Sequence, residues 1–159
     1  MTADDQRESI PDGFSTVTPY LIVDDGPAAI DFYTAAFGAV ELLRVNMPDG
    51  RMAHAEIRIV DSPVMIGERS TDFEFMKSAT DLGGAAINLY LYLPEADPVF
   101  ERALQNGAEV VMELEDHDDG DRRGGVRDPF GFIWWIAATI DPDARKQMLD
   151  QQASGIPGT

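Results

Sequence analysis

The chain contains no cysteine, only two lysines (Lys77 and Lys146) and only two histidines (His54 and His117) in 159 residues. Without cysteine there are no disulfides, zinc–thiolate sites, iron–sulfur clusters or thiol nucleophiles. Any metal must be held by His, Asp, Glu or amide oxygen. With two histidines, and with Ser15, Ser62, Ser70 and Ser78 outside any nucleophile-elbow pattern, a serine triad is not indicated. No apolar run approaches the roughly 18 to 20 residues of a membrane span. The opening MTADDQRES is acidic and has no signal-peptide core. The expectation is a soluble, cytoplasmic protein.

Acid, by contrast, is abundant. There are 29 Asp and Glu against 12 Lys and Arg, for a formal charge of −17 and a sequence pI near 4.2. Such a surface repels phosphate backbones and anionic membranes, so neither nucleic acid nor membrane is expected as a partner. A salt-rich cytoplasm would screen this charge, whereas a GC-rich genome would account for arginine over lysine without any salt. Hydrophobic residues make up 44% of the chain, enough for a packed interior despite the charge. The Gly-rich pieces around Gly83-Gly84 and Gly124-Gly125 lack both the P-loop ending and the strand-to-helix context of a dinucleotide fingerprint.

Two polar, Gly/Pro-dotted stretches, residues 1–14 and 141–159, read as tails outside the fold, leaving a domain over 15–140. The domain opens with a β-branched and aromatic strand over 16–23, followed by Asp24-Asp25-Gly26-Pro27, a helix start. Ala29, Ile30, Tyr33, Ala36 and Phe37 form one helical stripe that Gly38 ends. Strands follow over 40–46, 51–60 and around 64–66, with a Pro48-Asp49-Gly50 turn between the first two. This is a βαβββ unit, about 15–68.

After a linker over 69–84, the order repeats over 85–140. A strand over 87–93 leads to a helix capped by Asp97-Pro98 and carrying Val99, Phe100, Ala103 and Leu104, which Gly107 ends. Strands over 109–114, near 124–127 and over 132–138 complete it, with Asp128-Pro129-Phe130-Gly131 as a turn. Tyr90 follows Tyr20 by 70 residues and Gly107 follows Gly38 by 69, so the chain reads as a tandem repeat of one module.

The motifs Thr18-Pro19-Tyr20-Leu21, Ala28 to Ala39, Pro48-Asp49-Gly50-Arg51 with His54-Ala55-Glu56-Ile57, Gly120-Asp121-Arg122 and Asp128-Pro129-Phe130-Gly131 with Trp134 stand in an order that resembles the vicinal oxygen chelate superfamily. This superfamily comprises glyoxalase I, bleomycin-resistance proteins and extradiol dioxygenases, and the nearest likeness is to its PhnB-like branch. The resemblance implies an α+β fold of two βαβββ modules, forming a cupped mixed sheet around a ligand cavity, completed in a homodimer.

Metal-using members are expected to place a ligand on the first and last strand of each module. Those positions fall at Thr18, Met65 to Gly67, Asn88 and Trp135, with Glu68 one step beyond the first module's last position. A hydroxyl, an amide and an indole make a poor set for zinc or a hard divalent ion, so no cofactor is expected. One constellation reopens chemistry. Alternation puts His54, Glu56 and Arg58 on one face of their strand and Ala55, Ile57 and Ile59 on the other. His54 and Glu56 are candidates for an acid/base pair, or, with Glu68, for a rebuilt metal site; the alternative is a hydrogen-bonded pair on a sheet face or dimer interface.

Thr18, Tyr20, Asn88, Tyr90, Trp135 and Arg122 are the candidate ligand contacts, with Trp135 facing the cavity and Trp134 the core. The acidic run over 113–121 is either a solvated turn or a feature that draws a cation to the cavity mouth or holds calcium loosely. Segment 69–82, with Phe73, Phe75 and Met76, is either a flap or plain linker packing. The expected function is metal-free binding or sequestration of a small neutral or cationic molecule rather than catalysis. The alternative is a metal-dependent lyase, isomerase or dioxygenase.

Overall fold

A computed structural model describes residues 9–154 of the chain. The chain divides into two units at Ala85/Ala86, each carrying one four-stranded sheet.

In the first unit, β1 (Tyr20–Val23) leads into α1 (Gly26–Phe37), then β2 (Val40–Asn46), β3 (Met52–Ile59) and β4 (Ser62–Glu68). The Asp25 side chain accepts from the Ala28 N–H at 2.9 Å, and Pro27 stands in the first turn, where its missing N–H costs nothing. At the other end Gly38 takes φ +70°, and its N–H and that of Ala39 close on Thr34 and Tyr33 carbonyls. The sheet order is β1-β4-β3-β2, with β1 parallel to β4 and the other pairs antiparallel. The helix lies on the face bearing Leu21, Val23, Ala55, Ile57, Val64 and Ile66, all buried. The strand begins at Tyr20 rather than at residue 16, because Thr18 Oγ1 bonds back to the Ser15 carbonyl in a local turn. Val60, at the two-residue β3–β4 turn, has φ +56°, a left-handed conformation that a β-branched residue adopts only under strain.

The second unit repeats the order: β5 (Asn88–Tyr92), α2 (Asp97–Gln105), β6 (Glu109–Asp116), β7 (Asp121–Arg127) and β8 (Ile133–Thr139), paired β5-β8-β7-β6 with β5 parallel to β8. The cap of α2 differs from expectation. Ala96 is the N-cap and has no side-chain acceptor to offer, while Asp97 is the first residue of the helix and its carboxylate is taken by Arg122. Trp134, Ile136, Val126 and Phe100 fill the core beneath the helix.

Two stretches expected to lie outside the fold take part in it. Residues 9–16 run against the first sheet, and α3 (Pro142–Ser154) follows β8. Asp141 caps α3 through the Asp143 and Ala144 N–H groups, and the Gly120 carbonyl accepts from Ile140 and Asp141. Among the described residues, no helix is long and apolar enough to cross a membrane.

Candidate functional site

Cross-strand register decides which side chains share a face, since paired residues point the same way. In the first unit, Tyr20, Met65, Glu56 and Leu43 form one row across β1, β4, β3 and β2, on the face opposite α1. The neighbouring row holds Ile22, Gly67, His54 and Val45. The alternation expected along β3 is therefore realised: Ala55, Ile57 and Ile59 are buried, while His54 and Glu56 are half-buried on the helix-free face.

Three polar groups join there. His54 Nδ1 is 3.5 Å from the Tyr20 hydroxyl, His54 Nε2 is 3.4 Å from Glu56 Oε1, and the Tyr20 and His54 rings meet edge to face at 5.6 Å. Burial pushes the Tyr20 phenol up from its ordinary range, which keeps the hydroxyl protonated. Gly67 leaves the room for this ring, because a Cβ there would come within 2.7 Å of the Tyr20 hydroxyl oxygen. Beside the contacts lies a hollow of about 580 Å³, walled by Ile10, Pro11, Phe14 and Met65 and by the hydroxyl residues Ser9, Ser15, Thr16 and Thr18, with Glu56 as its charged residue. Thr18 and Glu56 line this hollow; His54 adjoins it through its contact with Glu56, and Tyr20 through its contact with His54.

Glu68 does not join them. It stands on the helix side of β4, where Oε1 accepts from the Gly26 N–H at 3.0 Å and Oε2 from the Met52 N–H at 3.2 Å. A carboxylate at the positive end of α1 is well placed electrostatically, and in that position it is unavailable to a site on the other face. The His54, Glu56 and Glu68 metal set is accordingly not assembled. Among the described residues no three His, Asp or Glu side chains are grouped to hold a metal. The donors on the helix-free face, a hydroxyl bonded to Ser15, one imidazole and one carboxylate, fall short of what zinc or a hard cation requires.

In the second unit the helix-free face carries Asn88, Tyr90 and Tyr92 from β5 with Trp135 from β8. Tyr90 stacks on Trp135 at 6.5 Å and 19°, and lies 4.9 Å from the Tyr92 ring. Trp134 is turned inward, as expected, and its Nε1–H donates to Asp128 at 2.9 Å. Burial and then the neighbouring Tyr92 push the Tyr90 phenol up to about 12. The Gly124-Gly125 pair has a packing reason. A Cβ at Gly124 would meet Phe100 on the helix side, and one at Gly125 would meet Val111 and Trp135 on the other.

Arg122 does not share the aromatic face of Tyr90 and Trp135. It points to the helix side, where a bidentate pair with Asp97 (2.7 and 2.8 Å) and a bond to Asp116 (2.8 Å) occupy its guanidinium. The arginine on the aromatic face is its neighbour Arg123, paired with Asp119 at 2.6 Å. Three of the six carboxylates of the acidic run are compensated at the β6–β7 turn: Asp116 and Asp119 by arginines, and the buried Asp121 by Tyr92, Thr139 and Arg145. Tyr92 and Arg145 were not read as structural partners of Asp121. Residue spacing gives no signal for a contact made across 24 residues by a helix expected to be a tail.

A family model for the glyoxalase/bleomycin resistance protein/dioxygenase superfamily matches residues 13–136. The chain belongs to this superfamily. The superfamily's region ends before α3, which is therefore an addition beyond the matched residues. An uncharacterized protein of Mycobacterium tuberculosis is 47% identical over 126 residues, covering 78% of this chain and 74% of that protein. Among solved structures, TioX from Micromonospora sp. ML1 is similar at TM-score 0.61 and 26% identity, over 78% of this chain and 95% of TioX. The PhnB protein of Bacillus cereus shares the fold at TM-score 0.62 and 18% identity, over 78% of this chain and 99% of that one.

Proposed function

We propose that this superfamily member binds a small neutral or cationic molecule without a metal, using the helix-free face of its first module. The observation that carries this reading is the single carboxylate of Glu56 in a hollow whose wall mixes Ile10, Pro11, Phe14 and Met65 with Ser9, Ser15, Thr16 and Thr18. Apolar side chains interspersed with hydroxyls around one carboxylate suit a ligand with a partly hydrophobic body and a positive or hydrogen-bonding end. The commitment of Glu68 to the start of α1 supports binding over metal chemistry. The Tyr90/Trp135 stack offers a second, separate surface on which a flat ring could lie.

A homodimer is part of the proposal. The edge strand β2 exposes Val40, Leu43 and Val45 beside the polar rows of the helix-free face, and an apolar edge of that kind is ordinarily covered. Metal analysis of the purified protein, joined to thermal shifts with divalent ions and with lipophilic cations, tests the reading. Stabilisation by the cations, lost in Glu56→Gln, is the expected result. Stoichiometric metal with a stabilising shift on metal addition overturns it in favour of a metal-dependent lyase, isomerase or dioxygenase. Sedimentation velocity tests the dimer.

A further inference from the structure

Helix α3 is tied to the second sheet through Arg145, which meets Tyr92 and the buried Asp121. Beyond that tie, Ala144, Gln147, Met148 and Gln151 recur at helical spacing and so share one side of α3. That side and the β6–β7 turn wall a hollow of about 480 Å³. All of its walls belong to the second unit, and α3 lies beyond the residues that the superfamily model matches.

The turn side of the hollow presents charge that its neighbours only partly use. Arg123 holds Asp119 through one nitrogen, with Nη1 reaching the two carboxylate oxygens at 2.7 and 2.6 Å. Among the described residues, Nε and Nη2 of Arg123 have no hydrogen-bond partner, and the carboxylate of Asp118 has neither a hydrogen bond nor an ion pair. His117 stands in the same wall, and its Nε2 is enclosed without a partner. Buried polar atoms are nearly always hydrogen-bonded, so an enclosed nitrogen in a cavity wall points to an occupant that can form such bonds.

We infer that this hollow binds a free α-amino acid with an aliphatic side chain, its ammonium on Asp118, its carboxylate on the open edge of Arg123 and its side chain along Ala144 and Met148. Asp118 is the neighbour in sequence of the Asp119 that Arg123 grips, so the free carboxylate and the free guanidinium edge stand on one turn. An α-amino acid carries its two charges on one carbon. A guanidinium edge with two N–H donors matches a carboxylate, and the Gln147 amide across the hollow both donates and accepts. Charge also favours a zwitterion. At a net charge of −17, a simple cation is drawn to the whole surface and a simple anion is repelled by it. A zwitterion gains only where both signs stand together.

Calorimetric titration of the full chain at about pH 7 tests this with L-leucine and with its two halves, isoamylamine, which lacks the carboxylate, and isocaproate, which lacks the ammonium. Leucine is expected to bind one per chain, at least about tenfold more tightly than either half. It should weaken at least about tenfold in Asp118→Asn, and also in Arg123→Lys, which keeps a charge for Asp119 but not the planar fork. Asp118 is exposed and unpaired, so its variant tests recognition without loosening the fold. Hydrogen exchange along α3 should slow when leucine is added. Equal affinity for leucine and isoamylamine, or leucine affinity unchanged in Asp118→Asn, overturns the inference. The absence of saturable leucine binding overturns it too, with water as the occupant. Loss of leucine binding in Glu56→Gln with retention in Asp118→Asn places the probe in the hollow of the first unit and likewise overturns it.

Discussion

Replacing Asp128 with alanine should destabilise the second unit more than any substitution on the helix-free faces. Asp128 is buried and gathers three donors: Oδ1 takes the Phe130 and Phe132 N–H groups, and Oδ2 takes Trp134 Nε1–H, each at 2.9 Å. Phe130, Phe132 and Trp134 are themselves buried, so water does not readily replace the lost acceptor. A buried donor left without a partner costs about 1–3 kcal/mol. Three donors sharing one carboxylate do not add fully, which puts Asp128→Ala at roughly 3–6 kcal/mol. With a slope of about 2 kcal/mol per molar urea, the midpoint should fall by roughly 1.5–3 M.

Asparagine is the informative companion. It retains an oxygen for the two backbone donors but turns an amide N–H toward the indole N–H, and should cost about 1–3 kcal/mol. Trp134 reports the transition by fluorescence because it is part of the network. An alanine variant within about 1 kcal/mol of the natural protein would show that the carboxylate is not what holds this turn.

Further predictions rest on single contacts. Val60→Asn should stabilise by about 1 kcal/mol, read by urea denaturation, because asparagine tolerates the left-handed turn that valine resists. Gly67→Ala should displace Tyr20 from His54 and lower stability by about 1–3 kcal/mol, checked by melting and by the imidazole NMR signals. The phenol of Tyr90, raised to about 12, should ionise later than an ordinary tyrosine. The folded state holds that proton more tightly than the unfolded chain, so its contribution is complete below pH 10.0 and lost as pH rises toward about 12. Phenolate absorbance of the natural protein against Tyr90→Phe reads this. Arg145→Ala removes both the 3.1 Å contact to the buried Asp121 and the cation over Tyr92, so hydrogen exchange within α3 should quicken while β7 and β8 keep their protection.

The modular fold was legible because each βαβββ unit writes period-two strands and a capped helix in adjacent stretches, and the same logic placed His54 with Glu56 and set Trp134 against Trp135. Parity along one strand fails at its ends. Glu68 was grouped with His54 because it stands one step beyond the last-strand ligand position, although register places it beside Val23 on the helix side. Arg122 and Arg123 are adjacent and chemically alike, and only pairing with β8 tells which one faces the aromatic rings. Helix α3 was missed because its apolar residues, Met148 and Leu149, are exposed. What fixes it is an Asp121 carboxylate, a Gly120 carbonyl and the Asp141 cap, none of which leaves a hydrophobic pattern.

The shared space between Gly67 and Tyr20 also constrains how this lineage could change. A carboxylate ligand on β4 in the same row as His54 would have to grow from position 67, since Glu68 is tied to α1 and points the other way. That step collides with Tyr20 unless the tyrosine shrinks first, and a shrunken Tyr20 forfeits its contact with His54 before any new ligand exists. Either single change therefore passes through a form with neither arrangement intact. Gain of a metal-binding acid and loss of the tyrosine are expected to occur as a correlated pair, so related sequences should divide into glycine-with-tyrosine and acid-with-small-residue types, with the mixed combination of acid and tyrosine selected against.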